Sequence, residues 1–195
     1  FASLGTLQGH RFELFRRIAG ACRDLGADLL IAHCGGLDAK RAGRLDASSV
    51  VDFTDQMAAL EQADVCITHG GLNTVLDCIK VGTPMLALPI AFDQPGVGAR
   101  IVHHRIGESL PARRATTAGI RCRLQRLLTN LDTYVSSGAP LRSDIQRSGG
   151  AEHAAVLVDG FLREGRPTSS LQECLESGRR VDQTTHRAMR HREAC

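Results

Sequence analysis

Apolar residues follow two alternating rhythms along this chain. Short unbroken runs, FASL (1–4), DLLIAHC (28–34), SSVVDFT (48–54), DVCITH (64–69), PMLALPI (84–90) and IGESL (106–110), read as strands. Between them lie segments of helical period. HRFELFRRIAGACRDL (10–25) sets Phe12, Phe15, Ile18, Ala19 and Cys22 on one face. Further helices are predicted over 55–63, 72–81 and 94–105, then around 117–130, 140–147 and 150–164. Strands that alternate with helices predict βαβ units, hence an α/β fold with a parallel sheet covered on both faces. Such sheets bind ligands beyond the carboxyl ends of their strands. Here those places follow FASL, VVDF, VCIT and LALP.

The rhythm holds to about residue 163. Residues 164–195 are rich in Arg and poor in apolar periodicity, and read as a disordered tail or an extension foreign to the fold. Cys174, His186, His191 and Cys195 lie there in a spacing that fits no usual zinc pattern. The 195 residues are 43% hydrophobic and 23% charged, ordinary values for a globular protein. No run has the length of a membrane span, and no leader of signal-peptide type opens the chain. It starts at Phe1 rather than Met, which predicts a piece of a longer protein.

The seven cysteines include no Cys-x-x-Cys pair and read as reduced thiols in a cytoplasmic protein. A net charge of +3 with 4% aromatics and no Trp argues against a nucleic-acid partner. Nearly all basic residues are Arg, which reads as compositional bias rather than a phosphate-binding surface.

The chemistry concentrates in ITHGGLNTVLDCIKVGTPMLALPIAFDQPG (67–96). Gly70 and Gly71 separate a strand from a helix and let the backbone approach a ligand. The helix start, with Asn73, Thr74 and His69 beside it, forms a candidate diphosphate cradle. It is neither a P-loop nor a dinucleotide fingerprint. Each residue also has a plainer reading. Thr74 and Asp77 fit a capping box, His69 could be a satisfied histidine at a strand end, and Asp93 before Gln94-Pro95 could be an N-cap.

These segments, FTDQ (53–56), HGGLNTVLD (69–77), GTP (82–84) and DQ (93–94), with the opening SLGT, resemble the donor-binding domain of family 1 UDP-glycosyltransferases. The resemblance runs over about residues 1–163 and implies a Rossmann-like sheet, the C-terminal half of a GT-B glycosyltransferase. ASLGTLQGHRFELF and ALPIAFDQPGVGARI look most like carotenoid glucosyltransferases of the zeaxanthin type.

The resemblance implies that His69 meets the diphosphate, supported by Gly71, Asn73 and Thr74, with Ser3 and Thr6 at the phosphate end of the first strand. It implies that Asp77 binds the ribose where the family has Glu, Phe53 stacks on the base where many members have Trp, and Gln56 lies beside it. Asp93 and Gln94 would hold the sugar. Asp55 replaces the family's Pro.

The expected activity is a hexosyltransferase using a UDP-sugar, with TDP as the second choice of nucleotide. It needs no metal or other cofactor, and it uses a small lipophilic acceptor bound on an N-terminal domain that also carries the general base. Peripheral membrane contact is compatible with such an acceptor. Two other classes fit the same residues: a donor-binding subunit completed by a separate chain, and a nucleotide-sugar epimerase.

Overall fold

The computed structural model describes residues 1–164. Of the expected tail over 164–195, all but Glu164, including its Cys and His residues, lies outside the described residues. Six strands form one wholly parallel sheet: β1 (Ala2–Ser3), β2 (Leu30–Ala32), β3 (Ser49–Val51), β4 (Cys66–Thr68), β5 (Met85–Ala87) and β6 (Gly107–Ser109). The helices are α1 (Phe12–Arg23), α2 (Ala39–Ala42), α3 (Gln56–Glu61), α4 (Leu72–Val81), α5 (Gln94–His103), α6 (Thr117–Thr129), α7 (Leu131–Arg147) and α8 (Gly150–Glu164), with a 3-10 turn at Ala112–Arg114. The expected α/β alternation is present, on strands shorter than their apolar runs.

Strand order is β3-β2-β1-β4-β5-β6. The chain leaves β3 at one edge and returns beside β1, so the helices that follow β1 and β4 pack on opposite faces of the sheet and a crevice forms at their starts. Ala2 faces Ile67 and Ser3 faces Thr68 across that pair.

The period-two alternation of the strands sorts the core into two layers. Ile31, Ile67, Leu86 and Leu88 pack with Phe15, Ile18, Ile120 and Leu127 of α1 and α6. Cys66, Met85 and Ala87 pack on the other face with Leu60, Val75, Cys78 and Ile101 of α3, α4 and α5. Gly82 ends α4 at φ +87, and Thr83-Pro84 leads straight into β5, so GTP sets the α4–β5 corner.

Two helical stretches depart from the expectation. Short α2 falls where a loop was expected; Asp38 caps it by accepting from the Arg41 N–H. α7 begins at Leu131 instead of near 140. Ser136, Ser137, Gly138 and Pro140 weaken its periodic signal, yet Pro140 is exposed, so the carbonyl it leaves unbonded can meet water.

The chain divides into two compact units, with a boundary between Asp144 and Ile145. The described part of the second unit is the end of α7 and α8. No described helix is long and apolar enough to cross a membrane.

One buried carboxylate ties α6 and the start of α7 to the sheet edge. Glu108 of β6 accepts from Arg123 (2.6 Å), Arg126 (3.3 Å) and the Tyr134 hydroxyl (2.8 Å). Burial pushes the Glu108 carboxyl up, but the bonds from Arg123 and Tyr134 and the Arg126 charge outweigh it, and the net shift is downward. Its stabilisation is therefore complete above the unfolded carboxyl's pKa and is lost as pH falls through the lower folded value. We expect Glu108→Ala to cost about 2 kcal/mol, below the ~3–5 kcal/mol of a fully buried pair because both arginines keep contact with water. Urea unfolding as a function of pH should show Glu108→Gln lacking part of the parent's acid-dependent loss of stability. Equal pH profiles would refute the assignment.

Candidate functional site

His69 follows β4 at the crevice and stands between two glycines. A Cβ on Gly5 would come 2.7 Å from His69 Cε1, and one on Gly71 would come 2.6 Å from both Cε1 and Nε2. The loop after β1 and the start of α4 thus close on the imidazole from two sides, and neither can carry a side chain there. Gly5 also has φ +72. His69 Nδ1 is buried without a hydrogen-bond partner, which is uncommon for a buried polar atom. Burial holds the imidazole below the ordinary histidine range, and the Asp93 carboxylate pulls the other way. The ring is neutral near pH 7 and responds to any anion brought close to it.

The helix beside it starts open. Gly71 is the N-cap of α4 and has no side chain to bond the first N–H groups. Thr74 and Asp77 lie inside the helix, so the capping-box reading does not hold. Asp93 occupies the N-cap of α5, but its side chain caps nothing. His69 is not satisfied. The capping-box and satisfied-histidine readings fail on geometry, while Asp93 does hold the N-cap position without making the cap bond; no side chain caps the N–H groups at the start of α4. Asn73 is exposed in this first turn, and Thr74 is buried beneath it.

A polar cluster joins α3 to α4. Gln56 Nε2 donates to Asp77 Oδ2 at 2.9 Å, and Thr74 Oγ1 donates to Gln56 Oε1 at 3.4 Å. Lys80 Nζ lies 3.4 Å from Asp77 Oδ1. Lys80 was not among the expected residues, although its position three after Asp77 on one helix was a usable signal. Asp55 caps α3 by accepting from the Ala58 N–H. It thereby starts the helix at Gln56 and sets that side chain towards α4. Phe53 is 70% exposed, with its ring open to a stacking partner.

The remaining expected residues are placed less directly. Gln94 is buried, and its Oε1 accepts from the Ile90 and Ala91 N–H groups at 2.9 Å each. It clasps the loop after β5 through that oxygen. Asp93 is exposed on the same loop. Ser3 is buried, and its Oγ accepts from the Gly5 N–H at 3.3 Å, so it shapes the turn. Thr6 is exposed at the crevice mouth. The similar AHCGG segment is structural: His33 is buried, its Nδ1 accepts from the Leu37 N–H, and its Nε2 lies 3.0 Å from Asp52. Among the described residues no group of three or more His, Cys, Asp or Glu side chains is placed to hold a metal ion.

The profile described as the glycosyltransferase family 28 C-terminal domain matches residues 27–138, more than half of the chain. The chain belongs to this glycosyltransferase family. It is 49% identical to a zeaxanthin glucosyltransferase of Pantoea ananas, over 87% of this chain and 40% of that protein. It is 44% identical to another zeaxanthin glucosyltransferase, from Pseudescherichia vulneris, over 82% of this chain and 39% of that protein. The crystal structure of the calicheamicin glycosyltransferase CalG4 superposes with a TM-score of 0.74 at 27% identity, covering 85% of this chain and 43% of that one. The expected GT-B glycosyltransferase membership is thus found, under the family 28 description. The chain spans about two fifths of the length of these relatives.

In this family 28 domain the His69 environment gives a direct test. By nuclear magnetic resonance the imidazole should titrate below the ordinary histidine value of about 6.5. Asp93→Asn removes the one influence that raises it, so the midpoint should fall further. An unchanged midpoint would show that Asp93 does not act on this ring.

Proposed function

We propose that this chain is the donor-binding half of a hexosyltransferase. It holds a UDP-sugar, read as UDP-glucose, whose hexose passes to a hydroxyl of a small lipophilic acceptor such as a carotenoid. The observation that carries the reading is the unpartnered His69 Nδ1 beside the uncapped start of α4, at the crevice between β1 and β4. A diphosphate supplies the acceptor oxygens that both lack. Residues 1–163 form the donor-binding domain in this reading. His69, Gly71, Asn73 and Thr74 take the diphosphate, with Ser3 and Thr6 shaping and lining its far side. Asp77 takes the ribose, Phe53 and Gln56 the base, and Asp93 with the Gln94 amide nitrogen the sugar hydroxyls.

In the transfer, the acceptor oxygen forms a bond to the anomeric carbon as the bond from that carbon to the β-phosphate oxygen breaks. The electron pair leaves with UDP, and charge grows on the β-phosphate. The start of α4 and a protonated His69 stabilise that charge. The acceptor proton goes to a general base that the resemblance puts on the acceptor-binding half. This chain by itself binds donor without transferring sugar.

An anion at His69 raises its pKa, so donor binding takes up a proton. Affinity should rise as pH falls from above the bound-state pKa towards the free-state value. Calorimetric titration with UDP, UDP-glucose and TDP-glucose, in buffers of different ionisation heat, reads both affinity and proton uptake. His69→Ala should weaken UDP by about tenfold or more, the scale of a charge-assisted hydrogen bond. Phe53→Ala should weaken UDP more than pyrophosphate. Tight UDP binding that His69→Ala leaves unchanged would exclude this cradle.

A further inference from the structure

A second cleft opens at the carboxyl end of the sheet. Its volume is about 710 Å³, within the range of small-molecule sites. His10, Arg11, Arg17, Arg41, Arg44 and Arg113 line it, over a floor that includes Phe12 and Ile90. These residues come from the loop after β1, the first turns of α1, the α2 region and the 3-10 turn after β6. None of them belongs to the diphosphate cradle.

The positive charge of this cleft is not neutralised from within. Arg11 Nε donates to the Gln8 amide oxygen at 2.6 Å. Arg17 donates to the Ala115 carbonyl at 3.2 Å. The Arg44 guanidinium lies 5.4 Å over the Phe12 ring. Three guanidinium groups are thus oriented by neutral partners. Arg41 reaches Asp38 only at 3.9 Å, with both side chains exposed. Glu13 is the one carboxylate in the lining, and it pairs with Arg16, which is not part of the lining. Guanidinium groups held in place and left with their charge bind phosphate oxygens well.

The surroundings favour a phosphate with an apolar body. Leu7, on the loop that forms one wall, is 76% exposed, and Phe92, two residues beyond Ile90, is 78% exposed. The Arg44 guanidinium lies over one face of the Phe12 ring in this cleft. The geometry points to a docking site for the phosphate headgroup of an anionic phospholipid, with Leu7 entering the interface beside it. This would seat the domain on a membrane surface through basic and apolar contacts together. The assignment stands apart from the donor reading, because UDP binding can be measured on the same samples.

The test is flotation of the chain with vesicles of phosphatidylglycerol in phosphatidylcholine, against vesicles of phosphatidylcholine alone. The unaltered chain should float with the anionic vesicles only, and rising salt should release it. The double variant Arg41→Glu with Arg113→Glu should bind at least about tenfold more weakly. Leu7→Ser should weaken binding at constant charge, and His69→Ala should leave it unchanged. Arg41→Gln with Arg113→Gln is the milder pair should charge reversal disturb folding, which circular dichroism checks. An unaltered chain that ignores anionic vesicles overturns the proposal, and so does a charge variant that binds them equally well. Saturable calorimetric binding of inorganic phosphate without vesicle binding would make the cleft a free-anion site and also overturn the lipid assignment.

Discussion

The close approach of two backbones to one imidazole governs the site. Pairing of β1 with β4 puts Ser3 opposite Thr68, so the two chains leave the sheet side by side. The loop after β1 then meets the residue after β4, which is His69. The ring fits only because Gly5 and Gly71 lack side chains. Gly71 in turn leaves α4 without a side-chain cap, and the ring's Nδ1 finds no partner within the described residues. The same glycine that admits the ring thus also leaves the helix start open.

That arrangement was partly legible in the residue order. HGGLNT announced a strand, a glycine turn and a helix, and the βαβ alternation put it at a carboxyl end. The sequence could not decide between a cradle and a set of caps, because both use the same residue types. The position of the helix start removes the capping box alone: Leu72 as first residue makes Gly71 the cap and puts Thr74 and Asp77 inside. Gln94 shows the same limit. Its type suits a sugar contact, yet its oxygen holds the backbone at Ile90 and Ala91. The beginning of α7 was hidden for a different reason, since a Pro on an exposed helix face is tolerated where intrinsic propensity argues against it.

Charge was the least legible property. Arg11, Arg17, Arg41, Arg44 and Arg113 are spread over more than a hundred positions and form no run. The fold gathers them because every one follows a strand's carboxyl end, on the α1 side of the sheet. An even distribution along the chain thus became a concentrated one in space. The same topology keeps this basic cleft and the proposed diphosphate cradle on one end of the domain, with separate residues.

The polar cluster at α3 and α4 bears on the change from Glu to Asp at position 77. A shorter carboxylate reaches less far from the helix. Here it is also engaged: Gln56 bonds one oxygen, and Lys80 approaches the other. Gln56 can do so because Asp55 caps α3 and sets where it begins. Asp55 and Asp77 therefore both bear on Gln56: one caps the helix that begins with it, and the other accepts from its amide. A ribose hydroxyl that meets Asp77 would find it already oriented, with each oxygen still able to accept a further bond. What the side chain loses in reach it gains in fixed position, and that position depends on the residue before Gln56 as much as on Asp77 itself.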